Sequence, residues 1–229
     1  HKREHGTFLY RDENNGIQYQ LPLIGPGKEL TSDNLAFPHC SGIFDWPVNK
    51  YLPVMMPELT FGDSVVVPSY YGKNCVTGIG LKKSFYLKFD QPDLIKTDGT
   101  FAYGIGSCQV QWSFIDGRVQ SEFCFKVKNQ ITLDKMRLAL VIGSPHSTYR
   151  LGTTLRQGAE GLRANVEIDD FQAKWGSFET LTENSEYRGY AGNIHYVQYL
   201  MRDHPLVMRP GQQYKLVLSY HPDIAFADE

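Results

Sequence analysis

The sequence predicts an all-β protein: a two-sheet antiparallel β-sandwich, a jelly roll of about eight strands with an extended N-terminal arm. Three observations predict it. Gln109–Phe114 alternates strictly, which puts Val110, Trp112 and Phe114 on one face of a strand, and Gln213–Tyr220 repeats the pattern with Tyr214, Leu216, Leu218 and Tyr220. Asp116-Gly117 falls between two such runs, a hairpin signal. The aromatic content of 13% is mostly Tyr (14) and Phe (13), residues that suit a pleated surface.

Taken in order, residues 1–60 read as the arm. Pro22, Pro26, Pro38, Pro47, Pro53 and Pro57 punctuate them, and proline lacks the N–H that helix interiors and central strands use. Residues 61–229 read as the sandwich domain. Strands are predicted at 64–67, 81–89, 107–114, 120–127, 137–143, 162–168, 193–200 and 213–220, each closed by Gly, Pro, Asn or Asp. Pro210-Gly211 turns the chain into the last of them. Helix is expected only as one short coil around Thr154–Gln157, interrupted by flanking glycines, and Leu94-Ile95-Lys96 reads as a turn.

Bulk properties exclude several classes. A net charge of −2 over 229 residues provides no basic field for nucleic acid or an anionic membrane. No apolar run approaches the roughly 18 residues of a membrane span, and the opening His1-Lys2-Arg3-Glu4-His5 is no signal peptide. The four cysteines, Cys40, Cys75, Cys108 and Cys124, form no CxxC pair. Cys108 and Cys124 lie in apolar runs and read as buried free thiols of a reducing compartment.

The search for chemistry yields no catalytic, cofactor or metal assignment. His1 and His5 are a frayed terminus before they are a copper site, and His39-Cys40 point to opposite faces of an extended chain. His146, His195, His204 and His221 are scattered. Glu167 and Asp169, with Asp170 beside them, share a strand face, but too few oxygen donors surround them for calcium. No Gly-x-Ser-x-Gly elbow occurs, and Gly104-Ile105-Gly106-Ser107 lacks the context of a phosphate loop. What remains is a recognition surface. Trp46, Trp175, Tyr187, Arg188, Tyr190 and Asn193 are the candidate interface or ligand residues, four of them in the polar–aromatic loop Glu183–Asn193, since Tyr and Arg supply contact area and directed hydrogen bonds.

The segment Gly211–Ile224, a glutamine-led alternating strand ending in an aromatic and a proline, resembles the closing strand of comovirus-type small capsid subunits of picorna-like viruses. Gly106–Trp112 and Met136–Val141 resemble capsid strands as well. That resemblance implies a jelly-roll capsid protein in an icosahedral shell, without catalysis or cofactor. Its partners would be other copies of the chain, sibling capsid subunits and genomic RNA inside the shell, with no membrane, and its location the virion and the host cytoplasm during assembly. Two other functions fit the residues. One is a lectin-like carbohydrate-binding module using Trp46, Trp175 or Tyr190. The other is a polysaccharide-active or lipocalin-like enzyme whose groove would be lined by Arg188, His195 and Tyr196 or by Glu167 and Asp169.

Overall fold

A computed structural model describes residues 6–12, 17–23, 50–51, 54–68, 76–79, 85–96, 100–115, 118–144, 148–151, 154–157, 160–167, 169–173, 178–189 and 192–223. Three strands open the chain: β1 (Gly6–Asp12) and β2 (Ile17–Leu23) pair antiparallel, and β3 (Lys50–Tyr51) adds to β2 in parallel. The strands that follow are β4 (Val54–Phe61), β5 (Ser64–Val67), β6 (Val76–Ile79), β7 (Phe85–Gln91), β8 (Leu94–Lys96), β9 (Phe101–Ala102), β10 (Gly106–Ile115), β11 (Arg118–Val127) and β12 (Ile131–Leu133). The chain continues through β13 (Lys135–Ser144), β14 (Thr148–Leu151), β15 (Thr154–Gln157), β16 (Glu160–Glu167), β17 (Phe178–Gly189), β18 (Gly192–Arg202), β19 (Leu206–Met208) and β20 (Tyr214–Asp223), and a 3-10 turn lies at Asp169–Phe171.

Two large antiparallel sheets form the sandwich. One has the order β14-β15-β16-β20-β11-β10-β7-β6, the other β17-β18-β13-β4-β5-β8-β9. The all-β sandwich class is therefore as the sequence predicts, with more strands than the expected eight or so. Alternation builds the core as anticipated. Val110, Trp112 and Phe114 on β10 are buried, and register sets Val110 against Phe123 and Phe114 against Val119 on β11. The Trp112 and Phe123 rings meet edge to face, 5.9 Å apart. Leu216 and Leu218 extend this layer from β20, and Met55, Leu59, Leu138 and Tyr199 close on it from the other sheet in one continuous cluster. Ile115 pairs with Arg118, so the hairpin signal at Asp116-Gly117 joins β10 to β11, although those two residues lie outside the described set.

Several expectations are corrected. The sandwich begins inside the segment assigned to an arm: β4 runs between β13 and β5 with Met55, Met56 and Leu59 fully buried, and β1 and β2 make a hairpin. Pro57 is tolerated in β4 because β5 pairs only from Leu59 onward. Thr154–Gln157 is strand β15, not a coil, and Leu94–Lys96 is strand β8, where burial of Leu94 and Ile95 outweighs turn propensity. Of the supposed loop Glu183–Asn193, residues 183–189 belong to β17 and 192–193 to β18, paired with a register shift between Asn184 and Arg188. Cys108 is buried as expected, but Cys124 faces outward and is half-buried, because successive strand residues alternate between faces.

Candidate functional site

The turn Phe61–Ser64 joins β4 to β5, and Gly62 takes a left-handed φ of 57° there, which glycine adopts without penalty. The carboxylate of Asp134 fixes this turn by accepting from the Gly62 backbone N–H at 2.7 Å. Next to β5, the chain between β8 and β9 is closed by a hydrogen bond from the Lys96 N–H to the Thr100 carbonyl at 2.8 Å. Gly104, with φ 85°, then reverses the chain into β10. Together these segments wall an open cleft of about 580 Å³ whose lining includes Ser64, Lys96, Phe101, Tyr103, Ile105 and Thr132. Tyr103 is 73% exposed and its ring stacks on Phe101, with centroids 5.0 Å apart and planes at 27°. Val207, the other large exposed hydrophobic side chain among the described residues, is in register with Thr132, which lines the cleft.

A second concentration of polar chemistry crosses β4, β13, β18 and β17. Glu58 is 1% exposed, and Gln198 donates to its carboxylate. Burial is the largest influence on Glu58 and pushes its carboxyl up to about 7, against the opposing pull of the Gln198 hydrogen bond and the Arg137 charge. Arg137 is spent on Glu179, which it holds through an Nε–Oε2 hydrogen bond while Lys135 lies 3.5 Å from the other oxygen. That hydrogen bond from Arg137 keeps the Glu179 carboxyl below its ordinary value. The network crosses four strands from the partly exposed Lys135, Arg137 and Glu179 to the buried Glu58, which is too enclosed for a polymer to reach.

Tyr187 and Arg188 belong to β17 and Asn193 to β18, while Trp46, Trp175 and Tyr190 lie outside the described residues. Glu167 ends β16 and Asp169 starts the 3-10 turn, so the strand alternation that would put them on one face does not continue. Asp170 instead accepts from the Lys215 backbone N–H at 3.1 Å, and His204 is exposed beside Asp203. His195 and Tyr196 belong to β18. Among the described residues no three His, Cys, Asp or Glu side chains form a metal-binding group. The aromatic pair of the cleft went unselected. Its signal is the i, i+2 spacing of Phe101 and Tyr103 immediately before a glycine.

No protein-family model matches the chain, and no curated protein matches it in sequence. Among solved structures, the chain is similar to a heparinase III with methylated lysines, at TM-score 0.53 and 12% identity over 97% of this chain and 35% of that one. Another heparinase III structure aligns over 97% of this chain and 36% of that chain at 11% identity and TM-score 0.49. A polysaccharide lyase aligns at TM-score 0.33 and 11% identity, over 95% of this chain and 32% of that one. The first of these likenesses is one of fold, and the chain spans 35% of that heparinase's length.

Proposed function

We propose that the chain is a saccharide-binding β-sandwich of a polysaccharide-processing protein, with the Phe101–Tyr103 cleft as its contact surface. The observation that carries this reading is the exposed Tyr103 ring held by stacking on Phe101 at the mouth of a cleft. A pyranose presents a C–H face that packs on such a ring, and its hydroxyls match Ser64, Thr132 and the Lys96 ammonium in the same lining. The sandwich fold shared with a heparinase III supports a setting in polysaccharide chemistry. Binding is favoured over catalysis because, among the described residues, the one carboxyl raised to near neutrality, Glu58, is buried at 1% exposure. The capsid reading draws support from the sandwich class alone and stands behind this one.

The test is binding to immobilised heparin, heparan sulfate, chondroitin sulfate, alginate and laminarin, with wild type beside Tyr103→Ala. At least one polymer is expected to retain the wild type. Tyr103→Ala should weaken that binding about tenfold, which corresponds to about 1.4 kcal/mol, with an unchanged melting temperature. Retention of no polymer, or equal retention of the variant, refutes the assignment. Sedimentation of the protein as closed shells would restore the capsid alternative.

A further inference from the structure

We infer that the Tyr103 cleft is one end of a longer saccharide track that continues into a polar groove on the neighbouring sheet. The inference rests on the saccharide-binding reading above and extends it from a single contact to a polymer path. The groove has a volume of about 380 Å³, and its lining includes Asp90, Gln91, Ser107, Gln109, Lys126 and Lys128.

Cleft and groove share their boundary. Ile105 lines the cleft and Lys128 lines the groove, and the Lys128 N–H donates to the Ile105 carbonyl at 3.1 Å. On the other side, Pro92 of the groove follows β7 and Lys96 of the cleft ends the short strand β8 that comes next. The two cavities therefore open on the same end of the sandwich, separated by the reversal at Gly104.

The groove is arranged for hydroxyl groups. Gln109 donates to Asp90 at 2.9 Å and Lys128 to Asp93 at 2.6 Å, so both side chains are held before any ligand arrives. Asp90 keeps acceptor capacity beyond that one bond, and Lys126 adds an exposed ammonium donor. Gln91, next to Asp90 on β7, is 1% exposed and faces the core in register with Cys108, so it borders the groove from below and the exposed Asp90, Gln109 and Lys126 are what a ligand meets.

Calorimetric titration with a heparin disaccharide and a heparin octasaccharide tests the track. The octasaccharide is expected to bind the wild type about tenfold more tightly than the disaccharide. The double variant Asp90→Ala/Lys126→Ala, both at exposed positions, should abolish that advantage while leaving disaccharide affinity unchanged. Tyr103→Ala should weaken both ligands. Unchanged octasaccharide affinity in the double variant overturns the track and leaves the cleft reading standing. Unchanged affinity of both ligands in Tyr103→Ala overturns the cleft reading and the track together, and no binding of either ligand by wild type overturns the track as a path for heparin.

Discussion

The amide of Gln198 on β18 donates to both carboxylate oxygens of Glu58 on β4, at 3.1 Å to Oε1 and 2.8 Å to Oε2, across the intervening strand β13. Ala139 of β13, in register with both Gln198 and Met56, is small enough to leave that path open. The bond does not offset burial, and the Glu58 carboxyl sits near 7 in place of 4.5. A raised acid binds its proton more tightly in the folded state. Its contribution to stability is therefore fully present below about pH 4.5 and lost as pH rises through about 7. The loss is of the order of 3 kcal/mol. Glu58→Gln carries no such proton. Its stability relative to wild type should rise across that window, making it the more stable protein above neutrality. Urea denaturation of both proteins across the window measures the difference, and parallel pH profiles would contradict the burial argument.

Glu179 tunes this behaviour from two residues away in the network. Its negative charge raises the Glu58 carboxyl directly, and it also offsets part of the Arg137 charge that lowers it. Glu179→Ala removes the first influence and frees the second. The midpoint of the Glu58 transition should move to lower pH, read from the carboxyl carbon resonance of labelled Glu58. An unmoved midpoint would mean that Arg137 and Glu58 are screened from each other.

Much of the sandwich was legible because its central strands are amphipathic in the plainest way. Ser64–Val67 was placed residue for residue as β5, and β10, β11, β13 and β20 were each found to within a few residues. Strands with weak alternation escaped. β17 reads as a loop because its Thr-Glu-Asn-Ser-Glu run has low strand propensity, and it can afford that composition as the edge of its sheet, where charged side chains discourage further pairing. The prolines of residues 53–57 masked β4, whose burial is decided by neighbours distant in sequence. The candidate site was less legible still. Phe101, Tyr103 and Lys96 are unremarkable in sequence and become a site only when the β4–β5 turn and β12 are folded beside them.

Phe171 should be a stability anchor although it sits on the short 3-10 turn. It is fully buried, meets Phe125 edge to face at 5.6 Å and leans on Tyr214 at 5.8 Å. Arg202 holds the turn in place by donating to the Gln172 carbonyl at 2.7 Å and the Pro205 carbonyl at 3.0 Å. Phe171→Ala should cost about 3–5 kcal/mol in chemical denaturation. A loss below about 1 kcal/mol would show that the core refills the space.

Gly104 and Gly106 flank the ridge between cleft and groove, and they should fail differently when given a side chain. A Cβ on Gly106 would stand within 2.3 Å of the Lys126 carbonyl oxygen, a backbone atom of the paired strand that cannot rotate away. Gly104 has open space around it, and its difficulty is the φ of 85°, which costs an L-residue about 1–2 kcal/mol. Gly106→Ala must push β10 from β11 at the position where Gly106 pairs with Val127, and its cost should exceed that of Gly104→Ala. Hydrogen exchange locates the damage. Gly106→Ala should expose amides along the β10–β11 ladder, whereas Gly104→Ala should leave that ladder protected and loosen only the reversal beside Tyr103. Equal protection of the ladder in the two variants would mean that the close approach at Gly106 is relieved without moving either strand.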